Sequence, residues 1–574
     1  VQIEKAQREL DYIYSVFDAL AHAENTSDLV EIRDELYTSG YASKMKNSAK
    51  AKLPKTTVME YRTSGGYRVL CGKNNIQNAG TLSITTATLS ASKNHGIYNK
   101  GTVSGKNVTI ENPKGNGLYN TEGGVVSGID GLIVKNAGDQ GINNTEKLTV
   151  SNVTIDGASK NGVYNKSGNA TINGIKVSGV GEHGISNAGT MSLANAEITG
   201  SGKGSNGIQN AGVLSVNKAT VKDTKNHGVY NKATISGKGL TVENTKGNGV
   251  YNDGGTIDAI NGLTVKKAGD QGINNKGSFV ASNVKIDGTT KNGVYNNGGT
   301  ANINGIEVTG TGEHGVNNAG TMTLANADID GSGAGSNGIQ NKGTLTTNAT
   351  VSIKNSSNHG IYNDNVVNGI GTIKIVNSAA NAVYNYGGNF AAAKVDADTT
   401  VQHCINNAGT MTLGTVTAKN AGENGIQNTK DLTITGSALL KDSKKHGIYN
   451  GKTLDAKNIT IENAGDNMVN NGGDLVVDGL VIKGTANKAI YNAAYAELYK
   501  VTVEGKDIIN MKNGAPQKRD QQRLVDNNAG ILDLTDATIK DAYAIAVANR
   551  GKANTSLTNV VIDKAGDYGV YVEG

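Results

Sequence analysis

Gly141-Ile142-Asn143-Asn144, Leu148-Thr149-Val150 and Val153-Thr154-Ile155 follow one another as three short extended segments, closed by a polar corner, Asp156-Gly157-Ala158-Ser159. Period-two alternation within them sends Ile142, Leu148, Val150, Val153 and Ile155 to one side. The first word of the set, Gly-(Ile/Val/Leu)-x-Asn, recurs with its apolar residue running from Ile76 to Ile490 in steps of 21 to 24 residues. An Asn stands two places after that residue every time, from Asn78 to Asn492. Such a period is too short for helical-pair repeats, and three strands per repeat make a three-sided coil. Coils stacked about 4.8 Å apart pair strand on strand in parallel and place the inward aliphatics in continuous columns. The predicted fold is therefore all-β: a right-handed parallel β-helix of coils about 22 residues long, preceded by a short α-helical hairpin and a β-hairpin segment. Some 23 coils would span on the order of 110 Å.

The chain divides by composition into residues 1–72, a charged helical and hairpin segment; 73–78, a junction; 79–509, the β-helix; 510–526, a loop insertion; and 527–574, its continuation. The insertion is marked by Gly514-Ala515-Pro516-Gln517-Lys518-Arg519-Asp520, where the repeat word fails. A longer period overlies the coil: Gly138-Asp139-Gln140-Gly141-Ile142-Asn143-Asn144 returns as Gly269 to Asn275, 131 residues on, so six coils were copied as a block. The glycine of the word gives way to Ala382, Cys404, Met468 and Ala489 further along, which reads as decay of a third copy. Neither end reads as a natural terminus, since Val1-Gln2-Ile3 is not a signal peptide and Gly574 falls inside a repeat.

The repeated Asn has a structural reading. Stacked amides bond to each other and to corner backbone groups, so Asn99, Asn120, Asn144, Asn165, Asn187, Asn210, Asn231 and Asn252 are expected to form a ladder. Seven of the eight His, His95, His183, His227, His314, His359, His403 and His446, directly precede the word. Asn or Gln fills that place in the coils between, so neighbouring His lie at least two coils, roughly 9.6 Å, apart. Zinc ligands must converge within about 2.1 Å of one centre, so the column reads as a polar ladder, and no metal or cofactor is expected. Tyr98, Tyr119, Tyr230, Tyr251, Tyr362 and Tyr384 occupy the outward x of the word in adjacent coils. They form a candidate binding platform for a glycan or a partner protein, or else serve as good strand formers covering the sheet.

Composition narrows the functions. The 574 residues include 78 Gly, 3 Pro, 3 Phe and no Trp, which suits short strands and tight corners better than an aromatic core. The net charge of +5 is small, and no Arg lies between Arg68 and Arg519, so nucleic acid is not an expected partner of the repeats. No apolar run is long enough to span a membrane. Cys71 and Cys404 are far apart in sequence and imply no disulfide framework. The acids Asp139, Asp270, Asp466 and Glu182 stand singly before the word, without a second acid at a glycosidase separation, so no catalytic residue is assigned.

The words Gly-Ile-Tyr-Asn (Gly96–Asn99) and Asn-Ala-Gly-Thr-Met (Asn187–Met191) resemble the pectin-lyase-like superfamily, and most closely the Asn-rich repeats of bacterial surface adhesins and autotransporter-like passengers. That resemblance implies a non-enzymatic, surface or secreted adhesin-like rod binding glycans or host or partner proteins. The same superfamily contains polysaccharide lyases and hydrolases, which makes a carbohydrate-active enzyme the alternative.

Residues 1–78 resemble a different family. Leu10, Ile13, Tyr14, Phe17 and Leu20 form a helical stripe, Asp28 with Glu31 reads as a capping pair opening a second helix that ends at Gly40, and a basic run from Lys44 to Lys55 leads to two strands around Thr63-Ser64-Gly65-Gly66. Leu10-Asp11-Tyr12-Ile13-Tyr14, Tyr61-Arg62-Thr63-Ser64-Gly65-Gly66-Tyr67 and Cys71-Gly72-Lys73-Asn74-Asn75 resemble the NFACT family, once called fibronectin-binding protein A-like. That resemblance implies a cytoplasmic ribosome quality-control fragment with the ribosome and tRNA as partners. Its rest is replaced by repeats, so the junction reads as two genes joined at Asn74–Asn78.

Overall fold

The computed structural model describes residues 2–23, 26–41, 59–62, 68–71, 75–512 and 515–574. The chain forms two compact units, residues 1–57 and 58–574.

In the first unit, helix α1 (Gln2–Ala21) and helix α2 (Thr26–Thr38) meet through buried Val16 and Ile32. Two expectations need correction. Helix α2 opens at Thr26, so Asp28 lies within its first turn, where its charge favours the N-terminal dipole, and does not cap it. The stripe Leu10, Ile13, Tyr14, Phe17 and Leu20 is exposed, because the helix crossing uses the neighbouring face. The end of α2 follows the sequence: Gly40 takes φ +81°, and the Tyr41 N–H donates to the Leu36 carbonyl at 2.9 Å, tying off the last turn. The basic run 44–55 and the turn 63–66 lie outside the described residues.

The second unit opens with antiparallel strands Met59–Arg62 and Arg68–Cys71, then becomes a right-handed parallel β-solenoid of about 23 coils. The coil from Ile142 shows how the sequence builds it. Ile142–Asn144 is a short anchor strand, and Lys147–Ala158 is one long strand with Leu148, Val150, Val153, Ile155 and Ala158 buried. Alternation slips first at Ser151-Asn152, where Asn152 takes φ +51°, and the strand bends onto a new face. Gly157 at φ +89° makes the next bend. Asn, Gly and Asp fill most of these left-handed places along the solenoid, since they reach that region at least cost.

The three faces are as expected, but they are not three separate sheets. A bend of one residue lets the ladder pass around it, so pairing runs from Lys147↔Asn169 through Ser151↔Asn173 and Val153↔Ile175 to Ala158↔Val180. Among the described residues the anchors form their own ladder of 23 strands, beginning with Ile76–Asn78 against Ile97–Asn99 and ending with Tyr568–Glu573 against Ile545–Arg550. Both ladders are open rows in which each coil pairs with the coil before and after it.

Glycine before the anchor is required by packing. A Cβ on Gly184 would run into Cγ2 of Ile198 and stand 2.8 Å from the Gly207 carbonyl oxygen. Ala382 and Cys404 in this place are compensated rather than decayed. The residue in register with Ile375, which crowds Gly360, is Ala397 in the coil of Ala382 and Ala418 in that of Cys404. Volume lost across the core is regained at the anchor. Where Met468 and Ala489 occur, the anchor strand lengthens to Asn467–Asn471 and Lys488–Asn492.

The Asn ladder is continuous. From Asn78 to Asn527 each Nδ2 donates to Oδ1 of the next Asn at 2.7–2.9 Å, with every one of these side chains buried. Asn231 also donates to the Ala233 carbonyl at 2.8 Å, and its Oδ1 accepts the Ala233 N–H at 3.3 Å. The amide thereby closes the turn between the anchor and the long strand.

Candidate ligand-binding face

The residue before each glycine builds a second ladder, of different logic. Its side chain accepts the backbone N–H of the equivalent residue in the next coil, from His95 to Asn467 without a break, at 2.8–3.3 Å. His Nδ1, Asn Oδ1 and Gln Oε1 alternate because each presents an acceptor at the same reach. The seven His are thus held in the ladder with Nδ1 as acceptor. A neutral ring so placed carries its proton on Nε2, which is a donor. Burial lowers the pKa of all seven, that of His359 to about 4.

Three residues after four of these His comes a Tyr, Tyr98, Tyr230, Tyr362 and Tyr449, and for the first three the coil after adds another, whereas Tyr449 is followed by Asn470. The structure pairs Tyr98 with Tyr119, Tyr230 with Tyr251 and Tyr362 with Tyr384 in ladder register, with ring centroids 5.4, 5.4 and 5.5 Å apart. All six are half-buried. The preceding His completes each patch. His95 lies 5.6 and 5.1 Å from Tyr98 and Tyr119, His227 lies 6.0 and 5.1 Å from Tyr230 and Tyr251, and His359 lies 6.0 and 5.0 Å from Tyr362 and Tyr384.

Charged neighbours fix the rings differently in each patch. Tyr98 donates to Glu122 at 2.9 Å, and Glu122 pairs with Lys100 at 2.7 Å. Tyr230 and Tyr251 both donate to Asp253, at 2.7 and 3.0 Å, with Lys232 and Lys276 over their rings. Burial, reinforced by Asp253, raises the pKa of the Tyr230 hydroxyl and keeps it a donor. The third patch has instead a third ring, Tyr386, whose centroid lies 5.7 and 5.8 Å from Tyr362 and Tyr384. The sequence reading found the Tyr pairs but missed their His partners and Tyr386. The signal was present in His-Gly-Ile-Tyr and His-Gly-Val-Tyr, which place the two rings three residues apart across one strand end.

The single acids before the word are engaged by the neighbouring coil. Asp139 pairs with Lys160 and Asp270 with Lys291, each at 2.9 Å, and Asp466 accepts from Asn487 at 3.1 Å. Near the insertion, Asp526 takes the outward place of the word yet is fully buried, held by Lys488 at 2.7 Å and by Arg550 at 2.8 and 2.9 Å. Burial pushes its carboxyl up, and these two cations more than offset that, leaving it below the usual range. Among the described residues no group of three or more His, Cys, Asp or Glu is placed to hold a metal ion, and no helix is long and apolar enough to cross a membrane. No protein family, curated protein or solved structure matches the chain.

Proposed function

We propose that the solenoid is a non-enzymatic, adhesin-like binding rod of the cell surface or of secreted type, related to the Asn-rich passengers of the pectin-lyase-like superfamily, and that its Tyr patches hold glycans. The observation that carries this reading is the threefold recurrence of one constellation: two outward Tyr in adjacent coils with a His at their base. Tyrosine offers a flat apolar face and a polar edge, which suits a sugar ring or a partner surface. Binding is favoured over catalysis because the candidate acids are tied up in pairs with lysine or amide groups of the next coil. For residues 1–78 we keep the NFACT-like reading as a separate proposal, tested by co-sedimentation with large ribosomal subunits. The main test is a glycan array probed with the full chain and with Tyr230→Ser/Tyr251→Ser. Binding weakened by the substitutions at unchanged melting temperature supports the reading. Release of soluble oligosaccharide from a polymer would transfer the protein to the carbohydrate-active enzymes.

A further inference from the structure

We infer that the three Tyr patches act together on one ligand, a neutral, linear, repeating polysaccharide laid along the solenoid and long enough to touch patches six coils apart. This rests on the glycan reading of the patches and adds to it the charge, shape and length of the ligand.

Spacing is the first argument. His95, His227 and His359 are each 132 residues apart, as are Tyr98, Tyr230 and Tyr362. Six coils separate neighbouring patches, about 29 Å at the strand spacing. Strand pairing and the Asn ladder run unbroken through all the intervening coils, so the patches share one face at a fixed interval. A ligand of irregular surface gains nothing from an exact repeat, whereas a repeating polymer meets the same chemistry at each patch.

Charge supplies the second argument. In the first patch Lys100 and Glu122 cancel. The second has Lys232 and Lys276 against Asp253, one positive charge in excess, and in the third Asp364 stands beside Tyr362. The sign of the charge is not kept from patch to patch, while the rings and the His donor are. What is common to the three patches therefore recognises hydroxyls and apolar ring faces, and an anionic polymer would meet an attractive patch and a repulsive one on the same rod.

The outward column between the patches agrees with a chain lying lengthwise. From Tyr98 to Tyr384 it contains only Tyr, Asn, Gln and Ser: Tyr119, Asn143, Tyr164, Ser186 and Gln209 lead to Tyr230, and the same sequence of types follows to Tyr362 with Asn317 in place of Ser186. No charged or aliphatic side chain interrupts it.

The test uses soluble glucan, mannan and xylan, each as tetrasaccharide and as polymers of graded length, with the full chain and two double variants. Tyr98→Ser/Tyr119→Ser leaves two patches one interval apart, and Tyr230→Ser/Tyr251→Ser leaves two patches two intervals apart. The polymer is expected to bind at least about 100-fold tighter than its tetrasaccharide once it spans one interval, as linked sites do. For a polymer that spans one interval but not two, the end-patch variant keeps that gain and the middle-patch variant falls to tetrasaccharide affinity, with little dependence on salt. Length-independent binding, or equal loss in the two variants, overturns joint action while leaving single-patch glycan binding intact. Tighter binding of a uronic-acid or sulfated polymer of equal length overturns the neutrality. Failure of all neutral oligomers and polymers to bind overturns the glycan reading together with this one.

Discussion

Asn231 and Tyr230 are adjacent in one strand yet have opposite roles. Asn231 is fully buried with its amide bonded to Asn210, Asn252 and the turn backbone, so Asn231→Leu leaves several of those groups without partners. The expected cost is about 1 to 3 kcal/mol, read as faster amide exchange in the coils on either side, whereas Tyr230→Ser is expected to change exchange little there. Equal effects would contradict the assignment of faces. The His ladder adds a pH dependence whose sign follows from burial. His359 is held neutral, with its pKa near 4 against 6.5 for a free imidazole. Between these values the unfolded chain binds more protons, so the contribution to stability is complete above about pH 6.5 and is lost as pH falls towards 4. Protonation also converts Nδ1 from acceptor to donor, opposite the Asn381 N–H it now accepts. His359→Asn, the residue found in alternate coils, should therefore reduce the fall in urea midpoint between pH 7.5 and pH 4.5. An unchanged fall would show that the ring does not titrate with folding.

The coil itself was readable because its constraints are local and repeated. Period-two alternation located the inward residues, and the invariant Asn located the anchor, both within one short window. The bend at Asn152 was not readable in the same way: a single left-handed residue inside an otherwise extended run leaves only a slip of alternation, and Lys218, Thr399 and Lys500 take the same conformation without announcing it. The pairing of Gly184 with Ile198 across the core was also hidden, since it links residues whose contact depends on where the strand bends. It yields a double-mutant test. Gly184→Ala is expected to cost about 1 to 3 kcal/mol by overpacking, and Ile198→Ala more than that by leaving a cavity. The double variant reproduces the natural combination Ala382 with Ala397, so it should be more stable than the sum of the two losses by about 1 kcal/mol or more. Simple additivity in urea unfolding would dissociate the two positions. The binding face was legible in part: outward Tyr followed from alternation, whereas the His beneath them read as an independent column because its partner lies across the strand end.

For the solenoid as a whole, stability is nearly a sum over coils and their interfaces. Gly138-Asp139-Gln140-Gly141 and Gly269-Asp270-Gln271-Gly272 precede equivalent anchors, so deleting residues 142–272 joins Gly141 to Ile273 with every column kept in register. The shortened chain is expected to fold with the same fraction of strand per coil by circular dichroism and to unfold at a similar temperature. Collapse into a chain without cooperative unfolding would show that the six-coil blocks are not interchangeable. The two polar ladders also have a direction. In the Asn ladder each N–H points to the following coil, and in the ladder of His, Asn and Gln each N–H points to the preceding one. Aligned amide dipoles sum along an axis, as they do in a helix, but here two rows run side by side in opposite senses. Their fields oppose each other, so lengthening the solenoid by further blocks adds to both rows at once and builds up little axial potential from these side chains, whatever its length.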